Sequence, residues 1–115
     1  PHYAQNYFLD LKLHYFLKLD RDTSRPLALW GAGNKGKTLA RGLLDAGHPF
    51  RWLCDNPKKI GRKIYGVPME HYTTLEGMDR PQSLVTVANE KAQADIRAYL
   101  HARKDVPAED YFFFC

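Results

Sequence analysis

The sequence predicts a small Rossmann-like α/β fold: a three-layer domain around a five-strand, mainly parallel sheet of order 3-2-1-4-5, preceded by an N-terminal helix. Three observations predict it. From residue 27 onward, short apolar runs alternate with helical patterns, the mark of βαβ units. A glycine-rich loop, Gly31-Ala32-Gly33-Asn34-Lys35-Gly36, follows the first run and opens a helical pattern. The right-handed crossover rule leaves few ways to join such elements, and the order chosen puts the switch point between the first and fourth strands.

The first segment carries two periods at once. In Tyr3–Leu19, the residues Leu9, Leu11, Leu13, Tyr15, Leu17 and Leu19 alternate as in a strand, while Phe8, Leu11, Tyr15, Phe16 and Leu19 form one face of a helix. A strand of that length would be unusual, so a helix is expected. Asp20–Pro26 reads as a polar linker. Residues 1–25 are therefore read as a helix and linker to a missing upstream domain, and 26–115 as the Rossmann-like domain.

Within that domain Leu27–Trp30 is the first, buried strand. A helix over Lys35–Ala46 turns Leu39, Leu43 and Leu44 inward and is closed by Gly47 and Pro49. Phe50–Cys54 is the second strand, ended by Asp55-Asn56-Pro57, and a basic loop follows over Lys58–Lys63. Gly66-Val67-Pro68-Met69 marks a turn into a short third strand, and Thr74–Met78 about one helical turn. Leu84–Ala88 is the fourth strand. Asn89 caps a helix through Arg103, with Ile96 and Leu100 inward, and Tyr111–Phe114 is the last strand.

Composition narrows the function classes. A chain of 115 residues with 44% hydrophobic and 26% charged residues fits one ordinary globular domain. Its formal charge of +4 suits a small anionic ligand and is too mild to argue for nucleic acid. Cys54 and Cys115 form no CxxC pair and no zinc spacing, so both read as free thiols and the expected location is cytoplasmic. No apolar stretch approaches the roughly 20 residues of a membrane span. The chain starts at Pro1 rather than Met, which is read as a piece of a longer protein.

The loop carries the candidate site. Gly31 turns the chain off the strand, Gly33 leaves room for a phosphate to approach the backbone, and Gly36 lets the helix pack close to the sheet. The helix N-terminus supplies free amides and partial positive charge, and Asn34, Lys35 and Lys37 stand around it. The same glycines also suit a tight βα turn with no ligand. Asp55, at the end of the second strand, is placed either to bond ribose hydroxyls or to act as a turn residue before Asn56-Pro57. Asn89 faces the same crevice or serves only as a cap. Lys58, Lys59, Arg62 and Lys63 are expected near the carboxyl edge of the sheet. Asp20-Arg21-Asp22 has a metal–diphosphate spacing but reads as a solvated turn. No catalytic constellation and no metal site stand out, so the expected cofactor is a nucleotide, a nucleotide-sugar or NAD(P), bound without chemistry.

Two resemblances rest on these residues. Trp30-Gly31-Ala32-Gly33, Asp55 and Ile60-Gly61-Arg62-Lys63-Ile64-Tyr65-Gly66-Val67-Pro68 resemble the Rossmann-like modules of bacterial polysaccharide and sugar-nucleotide enzymes. Over most of the chain, His14–Asp20, Leu29–Lys37, Asn56–Gly61, Val85–Asn89 and Asp110–Cys115 together resemble the C-terminal extension of Bacteroidetes-type family-2 glycosyltransferases. That resemblance implies a transferase parent acting in surface polysaccharide synthesis, an upstream catalytic domain in the same chain, and a non-catalytic module here. The loop also resembles the C-terminal domain of some sugar C-methyltransferases. Two readings compete with a binding module. One is a ligand-free docking or oligomerisation module, dimeric through Tyr3–Leu19. The other is the NAD(P)-binding domain of an oxidoreductase or of a sugar methyltransferase.

Overall fold

The computed structural model describes residues 2–114, with side chains from Tyr7 onward. Its elements are α1 (His2–Tyr15) running into a π-helical turn (Phe16–Asp20), β1 (Leu27–Trp30), α2 (Asn34–Asp45), β2 (Arg51–Cys54), β3 (Lys63–Ile64) and β4 (Val67–His71). A 3-10 helix (Tyr72–Gly77), β5 (Gln82–Val85), α3 (Glu90–Ala102) and β6 (Tyr111–Phe113) complete the chain. One sheet of six strands forms in the order β3-β4-β2-β1-β5-β6. Every pair is parallel except β3 with β4. The fold is Rossmann-like, and its five parallel strands stand in the expected spatial order.

The added strand, β3, is two residues long, too short to show any period in the sequence. It closes onto β4 through Tyr65 and Gly66, both at positive φ (53° and 79°), as a two-residue hairpin turn requires.

Alternation along β1 divides the core in two. Leu27 and Leu29 join Leu39 and Leu43 of α2, Leu9, Leu13 and Phe16 of the N-terminal segment, and Trp52 of β2. Ala28 and Trp30 face the other way, toward Leu53, Leu75, Val85 and Leu100. A strand with both faces covered reads as a continuous apolar run, which is why Leu27–Trp30 shows no polar alternation.

The helix expected over Tyr3–Leu19 is present, and most of the apolar face named for it is exposed, Phe16 excepted. Leu9, Leu13 and Phe16, spaced i, i+4 and i+7, are buried, whereas Phe8, Leu11, Tyr15 and Leu19 are exposed. Leu13 meets α2 at Gly42, where a Cβ would come within 2.6 Å of the leucine Cδ2. Small residues on α2 therefore select which face of α1 docks. Leu44 is likewise 41% exposed rather than inward, because α2 has room for only one apolar stripe against the sheet.

The segment read as a polar linker is tied down. Arg25 is buried, pairs with Asp110 at 2.6 Å and donates to the carbonyls of Arg80 and Pro81. Burial pushes the Asp110 carboxyl up, but the Val106 amide and the Arg25 guanidinium together hold it below its usual range. Gln82 is buried too: its Oε1 accepts from the Asp22 amide at 2.9 Å, and its Nε2 donates to the Asp20 carbonyl at 2.9 Å. That pairing makes Gln82 and Ser83 strand residues, so β5 begins two residues earlier than the apolar run Leu84–Ala88 and ends at Val85.

Candidate functional site

The glycine loop sits at the carboxyl end of β1, at the point where the chain's neighbours diverge to β2 on one side and β5 on the other. Gly31 has φ 104°, in the region that favours glycine, and a Cβ there would lie 2.6 Å from Thr86 Oγ1. Its amide donates to the Leu53 carbonyl at 3.0 Å, and its carbonyl accepts from the Trp52 indole at 2.7 Å. Gly36 is buried against this turn, and a Cβ on it would overlap the Gly31 carbonyl. The helix can approach the strand only because both positions lack side chains.

Gly33 differs from these two. Its φ is −78°, an added Cβ would meet nothing within 4 Å, and it is the N-cap of α2 with no side-chain cap hydrogen bond. The first bond of that helix runs from the Lys37 amide to the Gly33 carbonyl at 2.9 Å. The amides of Asn34, Lys35 and Gly36 precede it and belong to the helix end that has no internal acceptors.

Beside the loop lies a cleft of about 480 Å³, a size ordinary for a ligand pocket. Its lining combines a loop group, Gly31, Ala32, Cys54, Asp55, Asn56 and Lys59, with a group centred on aromatic rings, Trp30, Tyr72, Val87, Asp95, Ile96 and Tyr99. The structure thus brings together Gly31, Asp55 and Asn56 and, from the basic run, Lys59. Lys59 reaches back to the Ala32 carbonyl at 3.4 Å. Gly33, Asn34, Lys35, Gly36 and Lys37 stand at the start of α2 outside the cleft lining. Asn89 is a cap in geometry: its Oδ1 accepts from the Ala92 amide at 3.0 Å. Asn56 Oδ1 similarly accepts from the Lys58 amide at 3.0 Å, an Asx turn that shapes the exit from β2. The Asp22 carboxylate accepts from Ser24 in an exposed turn, but Asp20-Arg21-Asp22 is not simply solvated: its Asp20 carbonyl, Arg21 guanidinium and Asp22 amide all bond buried Gln82.

Sequence reasoning missed the aromatic group. Tyr72 stands at the start of the 3-10 helix, and Asp95, Ile96 and Tyr99 are spaced i, i+1 and i+4 on α3. The Trp30 and Tyr99 rings lie 5.9 Å apart, and Tyr72 meets Tyr99 at 5.0 Å and 89°. Tyr99 donates its hydroxyl to Glu76 at 2.8 Å. Burial, with the Glu76 carboxylate, pushes that phenol up to about 12, so it stays a donor at neutral pH. The available signal was the one-sided pattern Ile96, Tyr99 and Leu100 with Asp95 beside it.

Cys54 is a free thiol at the cleft, and Cys115 lies outside the described residues. Among the described residues no group of three or more His, Cys, Asp or Glu is placed to hold a metal ion. No helix there is long and apolar enough to cross a membrane.

These features define a class: an open, mostly parallel Rossmann-like sheet with a crevice at the carboxyl ends of its strands. No protein family matches this sequence, and no curated protein matches it. Among solved structures it is similar to UDP-D-quinovosamine 4-dehydrogenase from Vibrio fischeri, with a TM-score of 0.57 and 18% identity over 79% of this chain and 78% of that one. At that identity the likeness establishes the fold.

Proposed function

We propose that this chain binds a nucleotide or sugar-nucleotide, as the non-catalytic accessory domain of a bacterial glycosyltransferase acting in the cytoplasm on surface polysaccharide. One observation carries the binding reading. The uncapped start of α2, with open space at Gly33, adjoins a cleft that holds Asp55 at the end of β2. In Rossmann-type sheets this placement serves phosphate at the helix start and ribose at the strand-end carboxylate. The transferase parentage is supported by the sequence resemblance. The similar solved structure is named for a UDP-sugar, which supports the ligand class. In this reading Asn34, Lys35 and Lys37 flank the phosphates, and the exposed face of α1 (Phe8, Leu11, Tyr15 and Leu19) is where an upstream catalytic domain or a second copy rests.

A second reading, a NAD(P)-binding domain, is supported by the same neighbour, which is named as a dehydrogenase. Calorimetry of the chain against UDP, GDP, their glucose and mannose conjugates, and NAD separates the two. The expected outcome is saturable binding of a nucleotide or nucleotide-sugar, with a melting shift equivalent to about 2.7 kcal/mol at 100 times the dissociation constant. Tighter binding of NAD would favour the second reading, and no binding at millimolar ligand would overturn both.

A further inference from the structure

We propose that the corner formed by Trp30, Tyr72 and Tyr99, with the Asp95 carboxylate at its rim, is a subsite for a pyranose ring, the sugar end of a nucleotide-sugar. This subsite rests on the nucleotide-binding reading of the same cleft and adds where the non-nucleotide half of the ligand goes.

Three segments distant in sequence build the corner: the end of β1, the first turn of the 3-10 helix and the middle of α3. Tyr72 and Tyr99 are half-buried, line the cleft and meet at 89°. A nucleobase is flat and favours a slot between parallel faces. Trp30 and Tyr72 lie at 30° but only 5.9 Å apart, too close to admit a base between them, and Tyr99 stands perpendicular to Tyr72, so the trio makes a corner, which a puckered pyranose fills because its C–H groups point in more than one direction. Those C–H groups carry slight positive charge and are attracted to the negative faces of aromatic rings.

Trp30 is only 4% exposed, and its indole N–H has no hydrogen-bond partner. That nitrogen is shielded from the cleft as well as from solvent, so Trp30 contributes its ring to the corner rather than a hydrogen bond. Trp52, the counterpart on β2, has its indole N–H satisfied by the Gly31 carbonyl. Asp95 is 70% exposed and holds only a 3.3 Å pair with the still more exposed Lys91, so its carboxylate is free to accept from sugar hydroxyls. The cleft is also polarised. Lys59 belongs to the loop group and Asp95 to the aromatic group, so a ligand with phosphate at one end and a neutral hydroxylated ring at the other has one favourable orientation.

The test is a calorimetric comparison of UDP with UDP-glucose and UDP-N-acetylglucosamine, and of GDP with GDP-mannose, on the wild-type chain and on Tyr72→Ala and Asp95→Ala. Melting curves check each variant. Asp95→Ala alters an exposed side chain and keeps the experiment decisive if Tyr72→Ala unfolds. At least one sugar conjugate is expected to bind about tenfold tighter than its parent diphosphate. Both substitutions should erase that advantage and leave the diphosphate affinity within about twofold. Equal affinity of diphosphates and conjugates in the wild type overturns the subsite while leaving the nucleotide reading intact. So does a parallel loss for both ligands in Asp95→Ala. Failure of every diphosphate and conjugate to bind overturns the two readings together.

Discussion

The two faces of the sheet are built from the same alternating strands and end up different. On the α1–α2 face the packing is largely aliphatic, the helices lie close through Gly36 and Gly42, and the one tryptophan, Trp52, is fully buried with its N–H bonded. On the α3 face only a short 3-10 helix and one α-helix cover the strands. Three aromatic rings meet there, a cleft opens beside them, and the tryptophan N–H of Trp30 is unpaired. Both faces carry an aromatic cluster, Phe16 with Phe112 and Phe114 on the first, but the second leaves unused capacity beside a cleft at the carboxyl ends of the strands. Residual capacity of that kind at the carboxyl end of a parallel sheet is what a ligand site needs.

The glycine loop repeats the contrast between packed and open positions within a single turn and gives the largest effect. Gly36→Ala forces a methyl group into the Gly31 carbonyl on the sealed side and should cost about 3 kcal/mol, the upper end of overpacking penalties. Gly33→Ala, at φ −78° with open space around its Cβ, should change stability by no more than about 1 kcal/mol, because restriction of the unfolded chain offsets the loss of a preferred N-cap residue. Urea denaturation of both variants measures the gap. Equal penalties would mean that the loop has no open side.

A smaller effect separates the tryptophans. Trp52→Phe removes the indole donor from the part-buried Gly31 carbonyl and should destabilise by about 2 kcal/mol. Trp30→Phe removes a donor that bonds nothing and should cost less by about 1 kcal/mol, the worth of one hydrogen bond. Guanidinium unfolding curves compare them. A larger loss at Trp30 would show that its N–H is satisfied in solution and would remove the contrast between the two tryptophans.

How far the sequence reached depends on whether a residue's role is local. The glycine loop, the helix after it and the Asn89 cap are set within a few residues, so their places were readable. Strand order followed because parallel connections have one hand. The docking face of α1 was not readable, because both of its apolar stripes satisfy a helical period and the choice lies far along the chain, in the contact of Leu13 with Gly42. Gln82 looked like loop because its partners, Asp20, Arg21 and Asp22, stand on the far side of four strands in the sequence. The aromatic corner was hidden for the same reason: Trp30, Tyr72 and Tyr99 meet only when β1, the 3-10 helix and α3 have folded together.

If an anionic ligand rests on the open backbone at the start of α2, Gly33 is the residue that makes room for it. Calorimetric titration of the wild-type chain and of Gly33→Val with the tightest-binding nucleotide tests this most directly. The Cβ at this position meets no neighbour, so the variant should keep the fold, at a cost of about 1 kcal/mol for replacing a preferred N-cap residue. Its branched side chain would stand where the phosphate approaches. At least a tenfold loss of affinity is expected, about 1.4 kcal/mol. Unchanged affinity in a folded Gly33→Val would contradict ligand binding at this backbone and make the loop a structural turn only.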